Sequence, residues 1–121
     1  MKLGRKFTGA KYHSARKKKF HEAKRDARQV VLGDTKRKKL RVRGGSEKVV
    51  LLRANTVNLI TDKGKAKTAE IKNVIETPQN RFLARQNRLA KGVIIDTTLG
   101  KAKITNRPSQ EGMVNAILIK E

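Results

Sequence analysis

Short apolar runs rich in β-branched residues follow one another from about residue 40 to the end of the chain. Leu40 and Val42 alternate with Arg41 and Arg43, and this alternation is typical of a strand with one buried face. The other runs occupy residues 49–52, 57–60, 69–75, 93–95, 102–104 and 114–119. Turn-forming residues separate them at 44–45, 62–64, 99–100 and 106–112. About six short strands joined in this way predict a mainly β fold, a small antiparallel β-barrel.

One segment breaks the strand pattern. Within residues 79–89, Phe82, Leu83, Gln86 and Leu89 recur at the spacing of one face of a helix. We therefore predict one short helix here, bridging two strands of the barrel.

In the first 38 residues, apolar positions are sparse. Phe20, Ala27 and Val30 are loosely spaced at helical intervals, and Ser14 could cap a helix over residues 14–31. So thin an apolar stripe does not hold a free helix, and the segment could equally be extended when bound. We predict a basic N-terminal arm (residues 1–38), disordered when free and ordered on a partner, and a β-barrel body (residues 39–121).

Charge identifies the kind of partner. The chain has 31 Lys and Arg residues against 10 Asp and Glu, a formal net charge of +21. Seventeen of these cations lie in the first 44 residues, where the acids are Glu22, Asp26 and Asp34. Such a charge destabilises the compact state unless an anionic partner neutralises it. Nucleic acid fits best, because its phosphates recur closely and release counterions on binding.

Other compartments and partners are disfavoured. A membrane surface would need a long apolar run or an amphipathic helix with a bulky apolar face, and the sequence has neither. The N-terminus lacks the apolar stretch of a signal peptide, so we expect the protein to stay in the cytoplasm. Cysteine is absent, which excludes disulfides and thiolate metal sites.

The first cationic cluster includes aromatic residues that are scarce elsewhere in the chain. Arginine can fork onto phosphate or stack on a base, aromatic rings offer stacking faces, and Gly9 permits close backbone approach. A solvated charge run is the alternative, but three of the four aromatics lie in the first 44 residues, which favours RNA contact. The predicted RNA contacts here are Arg5, Lys6, Phe7, Thr8, Lys11, Tyr12 and His13.

Plainer clusters of Lys and Arg follow. They would give affinity for phosphate without sequence readout, and could also serve as nuclear localisation signals. The RNA contacts predicted from them and from nearby cations are Arg16, Lys17, Lys18, Lys19, Lys24, Arg25, Arg28, Lys36, Arg37, Lys38 and Lys39.

The junction between arm and body carries a more specific motif. Arg41 and Arg43 are expected on one strand face, opposite Leu40 and Val42, which would make the core contact. Two glycines then let the backbone turn against a phosphate. The RNA contacts predicted in this region are Arg41, Arg43, Gly44, Gly45, Lys48 and Arg53.

Catalysis and metal binding find little support. His13 and His21 lie in the cationic segment without a nearby carboxylate pair, and no serine occupies a nucleophile context. We expect no catalytic residue, no metal, no cofactor and no small-molecule substrate. A ribonuclease or RNA-modifying enzyme is the weakest of the alternatives.

Several motifs occur in the order of a known family. They are residues 5–10 (RKFTGA), 16–22 (RKKKFHE), 41–45 (RVRGG), 48–53, 89–97 (LAKGVIIDT), 100–108 (GKAKITNRP) and 112–119. Together they resemble the archaeal and eukaryotic small-subunit ribosomal protein eight, e-type, and the later stretches resemble its archaeal branch.

This resemblance implies a β-barrel body with an extended basic arm, bound to ribosomal RNA of the small subunit and beside neighbouring ribosomal proteins. It also implies that Arg5, Lys6, Lys11, Arg41, Arg43 and the cations at 16–19 contact ribosomal RNA. We therefore expect a structural constituent of the small ribosomal subunit that stabilises ribosomal RNA through its arm and one barrel face. A free-standing basic DNA/RNA-packaging protein is the alternative.

Overall fold

The computed structural model describes residues 4–13, 16–23, 27–61 and 64–119. These residues form two short α-helices, α1 (Arg81–Arg85) and α2 (Pro108–Glu111), and a 3₁₀ turn at Arg43–Gly45. They also form nine strands: β1 (Val30–Leu32), β2 (Lys36–Arg41), β3 (Glu47–Ala54), β4 (Thr56–Ile60), β5 (Ala66–Glu76), β6 (Arg88–Leu89), β7 (Ile94–Thr97), β8 (Gly100–Ile104) and β9 (Asn115–Leu118).

Five of the strands close into a barrel in the order β4-β5-β7-β8-β9. Neighbouring strands run antiparallel except for β4 and β9, which run parallel and close the barrel. The register of β5 against β7 shifts twice, and such bulges increase the local twist that closure of a small barrel needs. The predicted small β-barrel is confirmed.

A second sheet, in the order β2-β3-β1-β6, adjoins the barrel. β2 pairs antiparallel with β3, while β1 pairs parallel with β3 and antiparallel with β6. β1 and the first residues of β2 fall within residues 1–38, the predicted arm, so the sheet begins at Val30. Whether the residues before Val30 order only on a partner stays a prediction.

Barrel and second sheet share one hydrophobic core. Leu59, Ile95 and Ile104 are buried from the barrel side, where apolar and polar positions alternate along the strands. Val30 and Leu51 of the second sheet belong to the same cluster of buried side chains. Apolar contacts therefore anchor the second sheet to the barrel, in addition to the hydrogen bonds between its own strands.

The predicted helices are partly corrected. α1 lies where one helix was expected, and Asn80 caps it by accepting a hydrogen bond from the Phe82 N–H at 2.9 Å. The possible helix over residues 14–31 is wrong in the described part, because Val30 is buried in a strand of the shared core. Ser14, its proposed cap, lies outside the described residues.

α2 lies in the segment expected to be a turn, and it connects the barrel with β2 and β3. Pro108 occupies its first turn, and Gly112 ends it with φ of 77°. A Cβ at Gly112 would lie 3.7 Å from the Val49 carbonyl oxygen, so the chain passes close to β3 there. Arg37 Nε donates to the Gly112 carbonyl at 3.2 Å and ties β2 to this turn.

The Asn106 side chain connects the residues before α2 with the end of α2 and the residues after it. Its Nδ2 donates to Glu111 Oε2 and to the Met113 carbonyl, both at 2.9 Å, and its Oδ1 accepts from the Asn115 N–H at 3.1 Å. Because all three bonds depend on one side chain, Asn106→Ala should lower the free energy of unfolding by about 1–3 kcal/mol. Urea unfolding followed by circular dichroism measures this.

Asn58→Ala is the matched control for that substitution. Asn58 is exposed, and its side-chain Nδ2 donates one hydrogen bond within the described residues, to Asn115 Oδ1 at 3.2 Å. We expect a change within about 0.5 kcal/mol, as for most surface substitutions. Equal losses in the two variants would contradict the role given to Asn106.

Candidate nucleic-acid interface

Residues 5–11 form a small hairpin in the predicted arm. The Lys6 N–H donates to the Ala10 carbonyl and the Gly9 N–H to the Lys6 carbonyl, both at 2.9 Å, and Arg5 pairs with Lys11 in an isolated bridge. Gly9 has φ of 80°, the left-handed conformation that closes a three-residue hairpin loop after a type I turn. This explains why a glycine follows Phe7 and Thr8.

The hairpin displays aromatic rings beside cations. Phe7 at its tip is fully exposed, and Tyr12 is 51% exposed. Lys6 Nζ lies 5.6 Å from the centre of the Tyr12 ring, within cation–π distance. An exposed Phe ring costs hydration free energy in water, whereas an unpaired base could cover it by stacking.

Glu22 makes hydrogen bonds to the second cationic cluster of the arm, residues 16–19. Its carboxylate accepts from Arg16 Nη2 at 2.9 Å and from the Lys19 N–H at 3.0 Å, and the Glu22 N–H returns to the Lys19 carbonyl at 3.0 Å. The hydrogen bond from Arg16, followed by that from the Lys19 N–H, lowers the pKa of Glu22 below its ordinary value. This reciprocal turn leaves Lys17, Lys18 and Lys19 exposed.

Strands β2 and β3 carry the densest group of cations that regular structure brings together. Lys36 lies directly opposite Arg53, and Arg41 lies opposite Glu47. The other cations on or beside these two strands are Arg37, Lys38, Lys39, Arg43 and Lys48. We call these eight cations the basic ribbon: Lys36, Arg37, Lys38, Lys39, Arg41, Arg43, Lys48 and Arg53. All eight are exposed, while Val50 and Leu51, consecutive residues of β3, are buried on opposite faces of the sheet.

The ribbon has little internal neutralisation. Lys39 Nζ lies 3.6 Å from Glu47 Oε2, an ion pair whose side chains are both largely exposed. Exposed pairs of this kind contribute little to stability. β2 is also an edge strand, and lysines on an edge discourage pairing with another sheet. That protective role accounts for the lysines of β2 but not for Lys48 and Arg53 on the inner strand.

The expected arrangement of Arg41 and Arg43 is corrected. β2 ends at Arg41, and Arg43 begins the 3₁₀ turn, so the two arginines do not share one strand face. Val42 is exposed and Leu40 only half-buried, so neither makes the core contact expected of them. The reason is the turn itself, which the Val42 N–H closes by donating to the Ser46 carbonyl at 2.8 Å.

Gly44 and Gly45 form the turn that the sequence predicts, while their contact with a phosphate stays a prediction. Gly44 and Gly45 have φ of 77° and 81°, a region that other residues rarely adopt. A Cβ at either glycine would meet nothing within 4 Å, so the backbone here is open to an approaching group.

The remaining predicted contacts are scattered. His13 and Arg28 are exposed, while Lys24 and Arg25 lie outside the described residues. Sequence reasoning missed Arg88, Lys91 and Arg107, which the fold brings around one groove with Arg28. No local signal marks them, since they come from separate stretches that only the tertiary structure brings together.

Two properties of the described residues bear on other functions. Within the described ranges, no group of three or more His, Cys, Asp or Glu side chains could hold a metal ion. Among the helices of this same part of the chain, none has the length and apolar character needed to cross a membrane.

Comparison with known proteins gives one consistent family. A family model described as ribosomal protein S8e matches residues 1–119. The small ribosomal subunit protein eS8 of Methanococcus aeolicus is 46% identical over 119 residues, 97% of this chain and 93% of the relative. The proteins of the same name from Methanocorpusculum labreanum and Nanoarchaeum equitans are each 43% identical over 117 residues, 96% of this chain and 94% and 92% of the relatives. The predicted resemblance to the archaeal branch is confirmed.

The Glu22 turn makes a testable prediction about protonation. Arg16→Ala removes the largest cause of the lowered pKa, so the pKa of Glu22 should rise toward its ordinary value. Because the folded-state pKa is lowered, the carboxylate stabilises the turn above its unfolded-state pKa, and this contribution is lost as pH falls through the folded-state pKa. A carbon NMR titration of the Glu22 carboxyl group in the RNA complex, in which the arm is expected to be ordered, measures the shift.

Glu111 provides the internal control in the same spectra. Its pKa is also lowered, chiefly by the hydrogen bond from Asn106 and next by that from the Arg107 N–H. Arg16→Ala should leave the Glu111 titration unchanged. An unchanged Glu22 titration in that variant would show that Arg16 does not hold this carboxylate.

Proposed function

The chain belongs to the ribosomal protein S8e family, and from this premise we propose that it is a structural constituent of the small ribosomal subunit that binds ribosomal RNA. It would act in the cytoplasmic ribosome, beside neighbouring ribosomal proteins. Membership of this family also agrees with the prediction that the chain is not an enzyme. A free-standing DNA-packaging role does not fit relatives that are named as ribosomal subunit proteins.

The basic ribbon is the observation that supports RNA binding most strongly. Its strands keep Lys36 and Arg53 side by side although like charges directly opposite each other destabilise a sheet. A polyanion removes that repulsion and gains counterion release in exchange. Leu51 of β3 is buried in the common core, which anchors the strand backbone from which these cations project.

The arm would add contacts of a different kind. Its hairpin offers the exposed Phe7 ring and the Lys6–Tyr12 pair, which suit an unpaired base flanked by phosphates. The ribbon would bind phosphates and the arm would stack on bases, so together they would hold RNA segments from two sides.

The ribbon can be tested by removing Arg41 and Arg43 together. Both side chains are exposed, so Arg41→Ala with Arg43→Ala should leave the body folded and weaken binding to small-subunit ribosomal RNA. The slope of log affinity against log salt should fall by about two, one for each lost phosphate contact. Binding isotherms at several salt concentrations measure this.

A double variant of β5 is the matched control. Lys67→Ala with Lys72→Ala also removes two exposed positive charges, but from a strand of the barrel. It should lower affinity less and leave the salt slope nearly unchanged. Equal effects of the two pairs would contradict a local contact at the ribbon, as would a lower melting temperature with unchanged affinity for the arginine pair.

Amide exchange tests the proposed ordering of the arm. A hairpin without a hydrophobic face is marginally stable in water, so residues 4–23 should exchange rapidly in the free protein and slowly in the RNA complex. Val30–Leu32 of β1 should be protected in both states, because this strand lies between β3 and β6. Strong protection of residues 5–13 in the free protein would contradict the proposal.

A further inference from the structure

A groove of about 550 Å³ opens beside the second sheet, and none of the eight cations of the basic ribbon lines it. Four stretches of chain line it: residues 27–29, which lead into β1, residues 79 and 83 around α1, residues 88–91 around β6, and residues 107–110 at α2. The pairing of Val30 with Leu89 fixes the first and third stretches against each other. Its volume is in the range of sites that hold small organic ligands.

Apolar side chains form one part of the groove lining. Leu89 and Pro108 are buried, while Leu83 and Ala90 are half-buried. An apolar surface of this kind favours a flat, weakly hydrated ring over a free phosphate or a water cluster.

The groove is also electropositive. Arg28, Arg88, Lys91 and Arg107 line it, and none of the described lining residues is acidic. The carboxylate of Glu111 accepts from the Arg107 N–H at 3.2 Å, and the charge of Lys91 helps to lower the pKa of this carboxyl group. Glu111 offsets part of the charge, and the groove keeps an excess of cations.

Three amide side chains also line the groove: Gln29, Gln79 and Gln110. Gln79 Nε2 lies 3.5 Å from the Lys91 carbonyl oxygen, which restricts its side chain across one end of the groove. A glutamine amide offers both a donor and an acceptor, the combination that reads the edge of a nucleobase.

We infer that this groove takes one unpaired nucleotide of an RNA, with its base on the apolar lining, its edge against the glutamine amides and its phosphate among the arginines. Planar guanidinium groups can stack on the base in place of the aromatic residues that other RNA sites use. This inference rests on the proposed RNA-binding function and adds base capture to it.

The test uses the isotope-labelled full chain and small probes. Adenosine, guanosine, cytidine and uridine 5′-monophosphate are titrated separately, with ribose 5-phosphate as the probe that lacks a base. At least one nucleotide should shift the Leu83 and Leu89 methyl resonances and the Gln79 and Gln110 amide resonances saturably. It should bind at least about fivefold more tightly than ribose 5-phosphate, as stacking of a base implies.

A double variant and a control variant distinguish recognition of the base from recognition of the phosphate. Gln79→Ala with Gln110→Ala should weaken nucleotide binding and reduce the differences among the four bases, and it should leave the weak binding of ribose 5-phosphate unchanged. Asn58→Ala, which removes an exposed amide on β4 outside the groove, should behave as wild type. Equal binding of ribose 5-phosphate and all four nucleotides would overturn the inference in favour of a simple anion site.

The affinity of the same wild-type sample for small-subunit ribosomal RNA distinguishes two kinds of failure. If the RNA binds but no nucleotide shifts Leu83 or Leu89, base capture in this groove is refuted and the proposed function stands. If the RNA does not bind, the proposed function fails and the inference fails with it.

Discussion

Close placement of like charges on β2 and β3 is the constraint that the rest of the structure has to offset. Lys36 lies opposite Arg53, and the basic ribbon contains six more cations. The acidic residue on these two strands is Glu47, at the start of β3. The backbone ladder, the Arg37 contact with the Gly112 carbonyl and the burial of Leu51 in the common core hold the strands together. The fold thus keeps cations close together, and we propose that an anionic partner relieves the cost in stability that this imposes.

Much of the barrel could be predicted from the sequence because its strands obey a simple rule. In β4 and β8, buried Val57, Leu59, Ala102 and Ile104 alternate with exposed residues, and that alternation is visible in the chain. β1 could not be predicted in this way. It is three residues long, it lies within a cationic segment, and its burial depends on a parallel pairing with β3 more than 20 residues away.

The candidate site divides along the same line. Clusters of Lys and Arg are local, so the cations of the basic ribbon and the arm hairpin could be named from the sequence. The relative orientation of Arg41 and Arg43 could not be predicted, because the turn at Gly44 and Gly45 begins one residue earlier than the alternation suggests. The groove is a non-local feature. Arg88 and Arg107 become neighbours of Arg28 only once barrel and sheet pack on a common core.

The melting temperature of the free Lys36→Gln variant, compared with wild type at low and at high salt, tests the central claim most directly. Removing one of two opposed cations should raise the melting temperature at low salt, and the difference should fade as salt screens the repulsion. A variant that melts at or below the wild-type temperature at low salt would show that the ribbon is not under electrostatic strain, and would contradict the account of why it needs an anionic partner.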